Sequence, residues 1–180
     1  MEIMTPNKPL RILILGSWHD DTTKRFSKET GELGRLIFEK GHIPVIAPGS
    51  GIYGAVGAAY RNAGGNKGVG YYPSEEARAK VGEIYTFEPD EKIMVNDDYP
   101  TRNLRQVQGS DAIIAIAGRT GTATDFITGA TDYALPCAYL RGSSANMDLL
   151  MEFDGIKGKP NVFIGDTVAS LVNFVEKAIK

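Results

Sequence analysis

Residues 111–125 read DAIIAIAGRTGTATD, and this stretch decides the fold. After Asp111 the run to Ala117 is unbroken apolar sequence. That pattern belongs to a strand covered on both faces, not to the alternation of a half-exposed one. GRTGT (118–122) interrupts it with two glycines. Beyond the loop, Phe126, Ile127, Ala130 and Ala134 recur at helical spacing over about 123–133. Strand, glycine loop and helix in direct succession form the repeating unit of a parallel sheet.

The same unit recurs on either side. LRILIL (10–15) is a second buried strand that ends at Gly16-Ser17. Asp20, Asp21 and Thr22 then offer N-caps for a helix with Phe26, Leu33, Leu36 and Ile37 on its apolar stripe, and Gly41 stands where a terminating glycine belongs. IPVIA (43–47), GVGYY (68–72), PCAYL (136–140) and NVFI (161–164) supply further strands. AVGAAYRNA (55–63) predicts a small-residue helix suited to close packing, and TRNLRQVQGS (101–110) another helix. Within the less regular stretch 74–100, SEEARAK reads as a helical turn, and EIYTF and KIMVN as extended. No composition shift, linker or repeat divides the chain. The expectation is α/β: a Rossmann-like three-layer α/β/α arrangement with a mostly parallel sheet, as a single domain over residues 1–180.

Composition narrows the function. The 180 residues carry 20 Lys+Arg against 22 Asp+Glu, a net charge of −2, so no sustained positive field exists for nucleic acid or an anionic membrane. A single cysteine, Cys137, excludes an internal disulfide and a Cys-rich zinc site. His19 and His42 stand far apart, so neither a metal nor a cofactor is expected. The N-terminal MEIMTPNKPLR is too polar for a signal peptide, and no apolar run approaches ~18 residues, which predicts a cytoplasmic protein.

In sheets of this kind, ligands bind beyond the C-terminal ends of the strands, facing helix N-termini. Four segments converge there: Gly16-Ser17-Trp18, the loop 48–54, the stretch around Arg102, and the loop 118–122. Two glycine loops running into helices make an anion site, most often for phosphate. The candidate ligand-binding residues are Gly16, Ser17, Gly49, Ser50, Gly51, Tyr53, Gly54, Gly118, Arg119, Thr120, Gly121 and Thr122. The plainer alternative makes Thr122 an N-cap with Asp125 as its capping-box partner. Gly49, Gly51 and Gly54 do spell GxGxxG, but after the second strand and without the usual acidic residue further on. No GxxxxGK[ST] is present. A mononucleotide or nucleotide sugar therefore fits better than NAD or ATP with magnesium. Trp18 either stacks on a base or packs at the rim; Asp97, Asp98, His19 and His42 read as solvated or inert, and Cys137 as buried filler.

GSGIYGAVGAAYRNAGGNKGVGYYP (49–73), VNDDYPTRN and DAIIAIAGRTGTATDF, in this order, resemble the SLOG superfamily, and within it the LONELY GUY phosphoribohydrolases. That resemblance implies hydrolysis of the N-glycosidic bond of a nucleoside 5′-monophosphate, releasing base and ribose 5-phosphate, in a homodimer. It puts the phosphate on Gly118, Thr120, Gly121 and Thr122, and the family's essential arginine and carboxylate on Arg102 and Asp125. Three departures stand against it. Asp125 replaces glutamate and withdraws the carboxylate by ~1.5 Å, and misplacements near ~1 Å can cost ~100-fold in rate. Arg119 replaces the second glycine of the loop, and Asn103 replaces a lysine. The alternative is noncatalytic binding or carriage of a phosphorylated nucleotide-like ligand, as in the molybdenum-cofactor carriers that share this fold.

Overall fold

The computed structural model describes residues 8–179; residues 1–7, the first part of the polar N-terminal stretch, and Lys180 lie outside the described residues. The chain runs β1 (Arg11–Gly16), α1 (Asp20–Arg25), α2 (Ser27–Glu39), β2 (Ile43–Ile46), α3 (Ile52–Asn62), β3 (Val69–Tyr72), α4 (Glu75–Val81) and β4 (Glu91–Met94). It continues through α5 (Tyr99–Gln108), β5 (Ala112–Ile116), α6 (Thr120–Thr131), β6 (Cys137–Leu140), α7 (Ala145–Leu150), β7 (Val162–Gly165) and α8 (Val168–Ala178). The strands form one sheet in the order β4-β3-β2-β1-β5-β6-β7, every neighbouring pair parallel.

This order reverses at β1. The chain winds outward from β1 to β4, crosses back through α5 to β5, and winds outward again to β7. The connections leaving β1 and β5 therefore part in opposite directions, and a crevice opens at their C-terminal ends.

Both faces of the central sheet are covered, which is why β5 is buried at every position and β1 at every position after Arg11, whereas the edge strand β4 carries Glu91 and Lys92 and is largely exposed. Ile12, Ile14, Ile114 and Ile116 pack under α2, α3 and α8 through Leu33, Ile37, Val56 and Leu171. The alternate residues Leu13, Leu15, Ile113 and Ala115 pack under α5, α6 and α7 through Val107, Phe126, Met147 and Leu150. Each of the larger aliphatic and aromatic side chains among them stabilises the fold by roughly 1.5–3 kcal/mol relative to exposure. Gly34 on α2 and the small residues of α3 let the two helices approach closely: a Cβ on Gly34 would stand 2.5 Å from the Val56 carbonyl and 2.6 Å from Ala59 Cβ.

Several boundaries differ from the sequence reading. The helix expected up to Gly41 is two helices, because Phe26 (φ −107°, ψ 26°) leaves helical geometry while its side chain is buried. Gly41 does end α2, at φ +73°. α3 and α6 start earlier than the apolar periodicity suggests, so the glycine loops contain their first turns. EIYTF forms no strand; Thr86 Oγ1 donates to the Gly49 carbonyl at 3.1 Å, and Phe87 fills the space beside Gly57. α5 begins at Tyr99 because Asp98 caps it, accepting from the Thr101 amide at 2.9 Å. His42 also has a structural task. Its Nδ1 accepts from the Leu10 amide at 3.3 Å and its Nε2 meets Glu176 at 2.9 Å, tying β1 to α8. Cys137 is buried, and burial pushes its thiol up to about 12.

Candidate functional site

The crevice at the ends of β1 and β5 is built around one carbonyl. Gly16 O accepts from Tyr53 Oη at 2.6 Å and from Thr122 Oγ1 at 3.2 Å, while Ser17 O accepts from the Ile52 amide at 2.9 Å. The first turns of α3 and α6 are thereby fastened to the end of β1. A side chain on Gly16 would collide with Ile52 and the Ile116 carbonyl, both 2.6 Å from its Cβ position.

The turn between β5 and α6 is strained. Ala117 has φ 59° and Gly118 φ +115°. Holding an alanine in the left-handed region costs roughly 1–2 kcal/mol, so something must retain it. Two serines from the loop after β6 do so. Ser143 Oγ accepts from the Ala117 amide at 2.8 Å and donates to Leu140 O at 2.7 Å; Ser144 Oγ donates to Gly118 O at 2.7 Å. The chain then turns straight into α6, with Arg119 at the N-cap and no side chain capping it. The first-turn amides, which have no partner within a helix, are left for a ligand.

Arg102 faces these amides across the cleft. Its side chain is on the buried face of α5 and the residue is only 5% exposed, yet among the described residues Nε and Nη1 have no hydrogen-bond partner. The guanidinium lies over the Tyr99 ring at 5.0 Å. Buried cations are normally paired, because desolvation costs several kcal/mol. One turn along α5, Gln106 is also buried; its Nε2 donates to Asp125 Oδ2 at 3.3 Å while its Oε1 has no partner among the described residues. Burial pushes the Asp125 carboxyl up to about 6, against the opposing pull of Arg102 and of the Gln106 hydrogen bond.

These residues enclose a polar chamber of about 260 Å³. Gly16, Ser17, Tyr53, Arg102, Arg119, Thr120, Gly121, Thr122 and Asp125 all line it, together with Trp18 and Asn103. A second chamber of about 320 Å³ adjoins it and shares Trp18, Ala47, Tyr53 and Arg102; Ser50 lines only this one. Gly49, Gly51, Gly54 and Gly118 line neither chamber. They shape the walls: a Cβ on Gly51 (φ +89°) would be 2.3 Å from Ser17 O, and one on Gly118 2.3 Å from Thr122 Oγ1. Arg119 is at the rim, where Nη1 donates to His19 Nε2 at 3.1 Å, and the His19 ring stacks on Trp18 at 4.3 Å.

The capping-box alternative does not describe this helix start. Thr122 is the third residue of α6, and its hydroxyl points back to Gly16 rather than capping an amide. Sequence reasoning missed Gln106, Glu83, Tyr99 and the serine pair. Gln106 had a usable signal, since it follows Arg102 by four residues and so shares its helix face. Glu83 enters the second chamber from a loop, Tyr99 lines it from the first turn of α5, and the serines act on the β5–α6 turn without lining either chamber; no local pattern encodes these meetings.

Doubly wound sheet and switch-point cleft together define an α/β protein of the Rossmann-like class. The chain belongs to the SLOG cluster4 family, whose model matches residues 9–169. Comparison with curated proteins gives no match. Among solved structures, the structural-genomics target TM1055 is similar at 23% identity and TM-score 0.78, covering 93% of this chain and 99% of that one. The Moco carrier protein of Chlamydomonas reinhardtii is similar at 19% identity and TM-score 0.75, covering 96% and 98%. The molybdenum cofactor binding protein of Rippkaea orientalis is similar at 18% and 0.74, covering 97% and 99%. At such identities the likeness is one of fold.

Proposed function

We propose that the cleft binds a phosphorylated, nucleotide-like small molecule, its phosphate held between the first-turn amides of α6 and Arg102. The observation that carries this reading is the buried guanidinium with two unpartnered nitrogens facing an uncapped helix N-terminus. A phosphate supplies the missing acceptors, and hydrogen bonds to charged groups contribute about 1.5–3 kcal/mol each. Carriage of such a ligand agrees with the likeness to the two molybdenum-cofactor proteins. Calorimetric titration with ribose 5-phosphate and inorganic phosphate tests it: saturable binding lost in Arg102→Ala supports the site, and affinity unchanged in that variant overturns it.

Hydrolysis of a nucleoside 5′-monophosphate is the second reading, favoured by one observation. Asp125 faces the same chamber, is 7% exposed, and has an elevated carboxyl pKa. Ionised in a water-poor site, that carboxylate can stabilise positive charge developing on a ribose or orient an attacking water. Chromatography of free base after incubation with a panel of nucleoside monophosphates decides it. Release lost in Asp125→Asn supports hydrolysis; no release leaves carriage as the activity. The same resemblance supports a homodimer. Leu104 on α5, Ile127 on the adjoining α6 and Tyr133 just beyond the end of α6 are exposed apolar side chains available to it, and light scattering tests the pairing.

A further inference from the structure

The second chamber differs from the phosphate site in its chemistry. Its rim carries three large apolar side chains that a folded chain usually hides: Trp18 is 62% exposed, Val81 66% and Ile84 75%. A flat indole beside two aliphatic side chains suits a planar ring, which recovers stacking and burial by covering them. Among these walls stands one carboxylate, Glu83, on the segment between α4 and β4.

Glu83 is oriented but not neutralised. The Tyr99 hydroxyl donates to its Oε2, and Oε1 lies where a side chain on Gly49 would reach it, at 2.7 Å from that Cβ position. Glu83 forms no ion pair among the described residues, although Arg78 and Lys80 close by pair with Glu75 and Glu76. A carboxylate offers about four acceptor positions, so Tyr99 leaves both oxygens able to accept again. Two acceptors side by side complement two donors side by side.

The two chambers meet at Tyr53 and Arg102. A ligand with its phosphate on α6 therefore extends past Arg102 into the second chamber. Resting on the phosphate-binding reading above, we infer that this chamber seats the heterocycle, and that Glu83 selects rings with a ring N–H beside an exocyclic amino group. Guanine and pterins share that 2-amino-4-oxopyrimidine edge. Adenine presents an acceptor beside its amino group, and hypoxanthine lacks the amino group. Each therefore leaves part of the carboxylate unpaired, and sites built to bond a donor reject analogues that lack it.

Equilibrium titrations with GMP, IMP, AMP, neopterin monophosphate and ribose 5-phosphate test this. GMP and neopterin monophosphate bind about ten- to a hundredfold more tightly than IMP or AMP. Glu83→Gln, which replaces one acceptor by a donor, brings GMP down to the level of IMP and leaves ribose 5-phosphate unchanged. The ranking of GMP against the pterin then identifies which ring class the chamber favours. Equal affinity for GMP and IMP in the native protein, or a preference that survives Glu83→Gln, overturns the inference while Arg102-dependent ribose 5-phosphate binding stands. Loss of that binding itself overturns both readings.

Discussion

Gln106 donates through Nε2 to Asp125 Oδ2 at 3.3 Å, one neutral amide serving as the only hydrogen-bond partner found for a buried carboxylate among the described residues. One such bond does not replace the water lost on burial, and the carboxyl pKa rises from 3.8 to about 6. Between those values the folded chain holds a proton that the unfolded chain has released. This group's contribution to stability therefore falls as pH rises from about 4 to about 6, and the penalty is complete above that. At ~1.4 kcal/mol per pKa unit it reaches about 3 kcal/mol. Asp125→Asn is accordingly more stable than the native protein by about 1–3 kcal/mol at pH 7.5 and no more stable at pH 4. Urea unfolding at both pH values measures this; an equal difference at the two would show that the carboxylate is not strained by burial.

Arg102 presents the complementary case, a buried cation whose Nε and Nη1 have no hydrogen-bond partner among the described residues. Arg102→Met keeps much of the apolar volume and removes the desolvated charge. The unliganded variant is predicted to be as stable as the native protein, or more stable by about 1–3 kcal/mol, because replacing uncompensated buried charge is often neutral or favourable. Its affinity for ribose 5-phosphate falls about ten- to a hundredfold, the worth of one charge-assisted hydrogen bond. Thermal melts with and without ligand report both quantities.

Gly51 and Gly121 separate conformational need from ligand access. Gly51→Ala places a methyl group 2.3 Å from Ser17 O at a positive φ, and costs more than about 2 kcal/mol of stability. Gly121 has ordinary helical geometry and nothing within 4 Å of its Cβ position. Gly121→Ala gains about 0.5–1 kcal/mol from helix propensity but puts a methyl group in the polar chamber beside the amides. It is predicted to be the stable variant with weakened phosphate binding. Denaturation and titration of the pair check the contrast.

Ser143→Ala probes the loop that holds the strained turn. It removes the acceptor of the Ala117 amide and leaves that buried donor unpaired, costing about 1–3 kcal/mol. Without that bond Ala117 is free to leave the left-handed region, and the α6 amides lose their placement. Phosphate affinity therefore falls although Ser143 does not line the cleft. Undiminished affinity in a destabilised Ser143→Ala would show that the turn keeps its shape by other means.

Much of the molecule is legible along the chain. AIIAIA (112–117) and ILIL (12–15), unbroken apolar runs, determine strands covered on both faces, and hence a parallel sheet between two helical layers. GRTGT before an apolar helical repeat predicts an anion-seeking helix start, and the family resemblance of the surrounding motifs is what singles out Arg102 and Asp125. These are local signals, carried by neighbours in sequence. What the tertiary structure alone decided is which charges went unpaired and which loops met. Arg102 is buried by the packing of α5 with no hydrogen-bond partner for Nε or Nη1 among the described residues. Glu83 enters the second chamber because the segment before β4 folds over Gly49 and Gly57, and Ser143 reaches Ala117 from 26 residues away. Hydrogen bonding and desolvation depend on distances between segments that only packing brings together, so no pattern within a single segment records them.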